Sequence, residues 1–148
     1  MKIWPELNAQ GDLPAGIHPA TLEEVIQRFG AATPQRQRVA RRLRSIHALA
    51  AATGHLARFI IFGSFVTAKP EPNDVDIFLL MEDAFDVSQA TRESKVVFDH
   101  TAAHDYLGAS VFWIRRAAAL GDEASAIAHW QIKRDGGRRG IVEVISHD

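Results

Sequence analysis

The residues best suited to chemistry are two aspartates, Asp74 and Asp76, on either side of Val75. They stand at the beginning of an apolar run, and the two-residue period of a β-strand places both carboxylates on one face. Two adjacent negative charges are costly unless a cation lies between them. Mg²⁺ prefers oxygen ligands and is usually held by one or two carboxylates together with substrate phosphates. The pair therefore indicates a magnesium site, the alternative being a solvated strand end after a Pro-Asn turn.

A glycine and a serine lie at the end of an earlier apolar run. Gly63 stops the run 59–62, at a turn where the backbone can approach another group closely because glycine has no side chain. Ser64 offers a hydroxyl and an amide, and both groups can hold phosphate oxygens. Alone, Gly-Ser would be an ordinary tight turn. Lys69, in the loop before the aspartates, is either an exposed loop lysine or a contact to phosphate.

Taken together, Gly63-Ser64, a loop and Asp74-Val75-Asp76 resemble the signature of the DNA polymerase beta-like nucleotidyltransferase superfamily. The resemblance is closer to small bacterial proteins of that superfamily, which are similar to this chain over residues 13–30 and at 63–69 with 74–76. It covers most of the chain. The resemblance implies a nucleotidyltransferase fold in which Asp74 and Asp76 hold Mg²⁺, in a site that can take two ions.

The resemblance also implies a reaction. Gly63 and Ser64 would cradle the β- and γ-phosphates of an NTP, with ATP the leading nucleotide, and Lys69 would neutralise triphosphate charge. Asp74 and Asp76 would place metal against the α-phosphate. A hydroxyl of a protein or RNA acceptor would attack in line, and pyrophosphate would leave.

One part of the superfamily pattern is missing. Active members carry a third carboxylate on a later strand, and here the matching strand, 111–114, follows Gly108-Ala109-Ser110. Asp99, Asp105 and Glu143 are nearby in sequence, but none stands at the expected position. Two functions therefore remain open. One is a Mg²⁺-dependent nucleotidyltransferase. The other is a catalytically reduced module that binds nucleotide or a partner protein, as in a toxin–antitoxin or phage-defence pair.

Hydrophobic periodicity predicts the elements that position these residues. Residues 1–20 are expected to be an extended lead-in, and Thr21 to Glu24 fit a capping box before a short helix. A second helix is predicted from Thr33-Pro34 to about Thr53, with the arginines of 36–44 interpreted as its solvated face. Strands are predicted at 59–62, 75–80, 111–114 and 141–145, and mostly helical segments at 86–107 and 117–131, the latter interrupted at Gly121-Asp122.

This order favours a single α/β or α+β domain spanning residues 1–148, in which helices flank a small mixed sheet. Lys133-Arg134 and Arg138-Arg139 flank a glycine turn. They are expected to face solvent, unless the turn folds over the site and lets them reach a phosphate. Phe112 and Trp113 are neighbours on one strand, so one is expected in the core and the other partly exposed.

The composition, 47% hydrophobic and 24% charged, is that of an ordinary globular protein. A formal net charge of −1 gives no global field that would attract nucleic acid or an anionic membrane. Cysteine is absent, which excludes disulfides and thiolate metal sites and is consistent with a reducing compartment. No segment approaches membrane-spanning length and no signal-peptide run begins the chain, so the sequence predicts a cytoplasmic protein without a membrane partner.

Overall fold

The computed structural model describes residues 2–120 and 122–146. The helices are α1 (Leu22–Phe29), α2 (Pro34–Ala51), α3 (Arg92–Val97), α4 (His100–Leu107) and α5 (Glu123–Ala128). The strands are β1 (Ile17–Ala20), β2 (Leu56–Phe62), β3 (Val75–Met81), β4 (Ala109–Arg115) and β5 (Ile141–Val144). The chain therefore has the mixed α and β structure that the sequence predicts.

Within the described residues the strands form one five-stranded sheet in the order β1-β5-β2-β3-β4. The central strand β2 is antiparallel to β3 and β5, whereas the outer pairs β1–β5 and β3–β4 are parallel. The sheet is thus mixed. Because β2 and β3 are antiparallel neighbours, the end of β2 lies beside the start of β3, and Phe62 pairs with Asp76.

Strand alternation gives the sheet two different faces. One face packs against α1–α4 in a core whose largest fully buried members include Leu43, Ile46, Phe59, Ile61, Ile77 and Leu79. The other face carries a second cluster, composed of Ile60, Phe78, Leu80 and Ile141 from the sheet and Ile127 from α5. Asp76 alternates with Ile77 and therefore lies on this second, less extensively covered face.

The helix boundaries follow local capping. Thr21 accepts a hydrogen bond from the Glu24 amide at 3.2 Å, and Glu24 accepts one from the Thr21 amide at 2.9 Å, which confirms the capping box. Thr33 caps α2, with Pro34 as its first residue, as predicted. Each cap satisfies amide groups that have no partner within the helix.

Three segments differ from the prediction. The helix expected over 86–107 is divided into a 3-10 turn at Val87–Gln89, α3 and α4, because Asp99 accepts from the Ala102 amide at 3.0 Å and begins a new helix. The helix expected over 117–131 is only α5 between two 3-10 turns. Its expected interruption includes Gly121, which lies outside the described residues, whereas Asp122 is the N-cap of α5.

The lead-in ends in an unpredicted strand, β1, which pairs with β5.

Candidate functional site

Both aspartates and one serine meet where β2 ends and where β3 and β4 begin. Asp76 pairs with Phe62 on one side and with Ser110 on the other. Asp74 precedes β3, and its Oδ2 accepts a hydrogen bond from the Ser110 hydroxyl at 3.3 Å. Asp74, Asp76 and Ser110 all line one cleft of about 810 Å³. The strand period predicted that Asp74 and Asp76 share a face, and the structure has both there.

Gly63 lines this cleft and lies against the side chain of Asp76. Its φ of 77° lies in the left-handed region that glycine adopts without strain. A Cβ atom built at Gly63 would lie 1.9 Å from Oδ2 of Asp76, far inside van der Waals contact. The close approach expected at Gly63 is therefore present, and the approaching group is the carboxylate of the same site. The 3-10 turn Ser64–Val66 follows at once and brings Ser64 to the cleft wall.

The electrostatics of the pair favour a bound cation. The pKa of the Asp76 carboxyl is raised to about 6, first by burial and then by the negative charge of Asp74. The charges of Arg139 and Arg134 and the hydroxyl of Ser110 lower this pKa but do not offset the rise. A cation between the two carboxylates would remove the repulsion and favour their ionised forms.

Four basic side chains line the same cleft as the aspartates, together with Asp135, and we call the four basic ones the basic wall. It consists of Lys69 from the loop after Ser64 and of Lys133, Arg134 and Arg139 from the turn after α5. Backbone hydrogen bonds close that turn, from Lys133 to Gly137 at 2.8 Å and from Gly136 back to Lys133 at 3.0 Å. Lys133, Arg134 and Arg139 line the cleft, so the turn brings these three residues to the site, whereas Arg138 is exposed and does not line it.

Asp12 holds the basic wall in place. It is only 3% exposed, and its carboxylate lies 2.9 Å from Nζ of Lys133 and 3.5 Å from Nη1 of Arg139. A backbone bridge between Asp12 and Thr67 also ties this segment to the loop that follows Ser64. Sequence reasoning missed Asp12, because 121 positions separate it from Lys133 and no local pattern connects them.

Arg36 fixes the loop that carries Ser64 and Lys69 to the cleft. The interpretation of the arginines of 36–44 as a solvated face is wrong for this residue, which is 5% exposed. Its guanidinium donates to the backbone carbonyls of Phe29 and Phe65 at 2.8 Å and of Thr67 at 2.7 Å, and also to that of Lys69. A planar group with five N–H donors suits this role because it satisfies several carbonyls at once. Arg36 therefore determines the course of the chain between Ser64 and Lys69.

Aromatic side chains form the remaining side of the cleft. Phe62 of β2, Phe112 of β4 and Trp130 of the turn His129–Gln131 all line it. Phe112 is 39% exposed, whereas its neighbour Trp113 packs against the core and donates to the carbonyl of Phe98 at 3.0 Å. The prediction that one neighbour lies in the core and the other is partly exposed is therefore correct in direction, although Trp113 is half-buried rather than fully buried.

Ser110 is the sheet partner of Asp76, and it lies where the resemblance described above led us to expect a third carboxylate. Two acidic residues that are nearby in sequence have other partners. Asp99 caps α4, and Glu143 accepts two hydrogen bonds from the guanidinium of Arg58, at 2.6 and 2.8 Å. No group of three or more His, Cys, Asp or Glu side chains across residues 2–120 and 122–146 is placed to hold a metal ion. Two carboxylates do fit Mg²⁺, which commonly completes its shell with water and phosphate oxygens.

The fold and the cleft define an α+β protein with a two-carboxylate site and a basic wall in one cleft. The chain belongs to DUF6932, a family of unknown function whose model matches residues 5–145 and so includes every residue of the site. No curated protein and no solved structure matches the chain. Among the helices of the described residues, none has the length and apolar character needed to cross a membrane.

Proposed function

We propose that the cleft binds a Mg²⁺–nucleoside triphosphate, with ATP as the leading nucleotide, and that the protein is a cytoplasmic Mg²⁺-dependent nucleotidyltransferase. The observation that carries this proposal is the pairing of opposite charges within one cleft. Asp74 and Asp76 offer oxygen ligands, and four basic side chains line the same cleft, of which Lys133 and Arg139 are also paired with Asp12. A metal–polyphosphate complex presents the complementary pattern, a cation beside several anionic oxygens.

Each residue has a defined role in this proposal. Asp74 and Asp76 would hold Mg²⁺, which supplies charge neutralisation and polarisation of the phosphates when bound. Ser64 supplies a hydroxyl at the cleft wall, and Gly63 lets the chain turn there without displacing Asp76. Lys69 and the basic residues of 133–139 would bind phosphate oxygens, since charge-assisted hydrogen bonds to phosphate are among the stronger ones.

The proposed transfer is an in-line substitution at the α-phosphorus. A hydroxyl oxygen of a protein or RNA acceptor forms a bond to that phosphorus, and the bond to the oxygen bridging the α- and β-phosphates breaks. Pyrophosphate leaves with the bonding electron pair, and the proton of the acceptor hydroxyl passes to solvent. The basic wall stabilises the charge that develops on the leaving pyrophosphate.

Ser110 favours a second candidate function. A third carboxylate at this position could remove the proton from the attacking hydroxyl of the acceptor. The hydroxyl of Ser110 is a poor base, so the cleft lacks a general base there. The second candidate is a catalytically reduced module that binds nucleotide and acts through a partner protein, as in a toxin–antitoxin or phage-defence pair. It uses the same aspartates and the same basic wall, so the two candidates differ only in the chemical step.

Transfer of a labelled phosphate separates the two candidates. The native chain and an Asp74→Asn/Asp76→Asn variant are incubated with Mg²⁺ and an NTP labelled at either the α- or the γ-phosphate, together with total bacterial RNA and protein. Nucleotidyl transfer predicts incorporation of the α-label only, by the native chain only. Incorporation of γ-label would indicate a kinase instead, and Mg²⁺-dependent binding without incorporation would support the binding module.

A further inference from the structure

Three aromatic rings that line the cleft pack on one another next to the carboxylate pair. The ring centroids of Phe62 and Trp130 are 4.5 Å apart, those of Phe112 and Trp130 are 5.1 Å apart, and those of Phe62 and Phe112 are 6.2 Å apart. The angles between their planes are 33°, 33° and 41°. Centroids this close belong to rings that pack partly face to face, so the three rings form one compact apolar cluster, which we call the aromatic platform.

The platform is more open than a core cluster. None of its three rings is fully buried, and Phe112 keeps 39% of its surface exposed even though the ring of His100 packs against it at a centroid distance of 4.9 Å. Beneath it, Phe78 is 3% exposed and supports Trp130 at a centroid distance of 5.2 Å. Exposed aromatic surface that continues into a charged cleft is typical of a ligand site, because large rings are otherwise buried where they can be.

Within the platform, Phe62 pairs directly with Asp76, whereas Phe112 lies farther from the carboxylates along the sheet. Ser110 and Phe112 are two residues apart on β4 and point to the same face, and Ser110 pairs with Asp76. Two strand residues span about 6.6 Å, so the ring of Phe112 lies one strand repeat from the carboxylate row. A nucleotide has a comparable layout, with one ribose between its α-phosphate and its planar base.

We propose that Phe112 and Trp130 stack the nucleobase of the bound nucleotide while its phosphates lie between the aspartates and the basic wall. This inference rests on the proposed function and adds the part of the ligand that the carboxylates cannot recognise. Stacking is tolerant of base identity because every base has a π-face. The cleft is therefore expected to accept all four NTPs, purines somewhat more tightly than pyrimidines, and not to read one base by its edge.

Calorimetric titration with MgATP and with magnesium tripolyphosphate tests the platform, since the two ligands share phosphates and differ in nucleoside. The chains compared are the native protein, Phe112→Leu, Phe112→Tyr and the control Tyr106→Leu, which removes an aromatic ring that is 80% exposed and outside the cleft. The native chain is expected to bind MgATP roughly tenfold or more tightly than magnesium tripolyphosphate. Phe112→Leu is expected to reduce that preference severalfold without weakening tripolyphosphate binding, while Phe112→Tyr and Tyr106→Leu preserve it.

The contrary results distinguish the inference from the proposed function. Equal binding of MgATP and tripolyphosphate by the native chain, or an unchanged preference in Phe112→Leu, would overturn the stacking inference alone. A native chain that binds neither ligand would overturn the proposed function and the inference with it. Retained tripolyphosphate binding by Phe112→Leu also shows that this variant is folded.

Discussion

A Cβ atom at residue 63 and the carboxylate of Asp76 cannot occupy the structure together, since they would lie 1.9 Å apart. Phe62, the residue before Gly63, is the partner of Asp76 in the sheet, so neither strand can shift to relieve the contact without breaking that pairing. The position of the Asp76 carboxylate therefore depends on the absence of a side chain at Gly63. Any side chain at residue 63 must displace the proposed metal ligand.

Gly63→Ala is expected to abolish Mg²⁺-dependent nucleotide binding, because the new side chain displaces Asp76. It is also expected to lower the free energy of unfolding by about 2–4 kcal/mol, because the backbone becomes strained and the new Cβ clashes with the carboxylate. Gly54→Ala is the matched control, because Gly54 has a φ of 75° and nothing within 4 Å of a built Cβ. That control should cost only about 1–2 kcal/mol and keep binding. Equal effects of the two substitutions on binding would show that the contact with Asp76 is unimportant.

The raised pKa of Asp76 gives stability a definite pH dependence. Its folded-state pKa of about 6 exceeds the ordinary value of 3.8 for an aspartate, so the folded state binds this proton more tightly than the unfolded state does. The contribution of Asp76 to stability is therefore greatest in acid and is lost as the pH rises from about 4 through about 6. Asp76→Asn removes the ionisation, and is expected to raise the melting temperature by a few degrees near pH 7.5 and by little near pH 4.

Thermal melting with and without Mg²⁺ checks this prediction. Mg²⁺ should raise the melting temperature of the native chain near pH 7.5 and have no such effect on Asp76→Asn, because a ligand stabilises only the state that binds it. Asp105→Asn, an exposed change on α4, is the control and should behave like the native chain. A native chain more stable near pH 7.5 than Asp76→Asn in the absence of Mg²⁺ would contradict the account.

Arg36 is expected to be the costliest arginine of α2 to replace. Arg36→Met leaves four buried or half-buried carbonyl oxygens without their donor, and should lower the free energy of unfolding by about 3 kcal/mol or more. Arg41→Met changes an exposed residue of the same helix and should lie within about 0.5 kcal/mol of the native value. Urea denaturation compares the two, and similar midpoints would refute the role assigned to Arg36.

Ser110→Asp tests how the site responds to the carboxylate that the superfamily pattern expects. A third negative charge beside Asp74 and Asp76 should destabilise the metal-free protein near pH 7.5 by about 1–2 kcal/mol, through like-charge repulsion. Mg²⁺ should restore that stability and bind more tightly than to the native chain. Ser110→Asn is the uncharged control, and a loss of stability that Mg²⁺ fails to restore would place the new carboxylate away from any metal site.

Local patterns in the sequence predicted those parts of the site that depend on short-range geometry. The strand period placed Asp74 and Asp76 on one face, and the absence of a side chain at Gly63 indicated a close approach. Asp12 and Arg36 were beyond such reasoning, since both act on segments distant in sequence. A charged residue that will be buried looks the same in a sequence as one on a solvated surface, and only the assembled sheet and turns show which it is.

The central claim is that Asp74 and Asp76 bind a Mg²⁺–nucleotide complex, and isothermal titration of ATP, GTP, CTP and UTP tests it most directly. Each NTP is titrated with and without Mg²⁺ into the native chain and into Asp74→Asn/Asp76→Asn. The account predicts binding by the native chain that requires Mg²⁺ and is lost in the double variant. Failure of the native chain to bind any of the four NTPs in the presence of Mg²⁺ would contradict it.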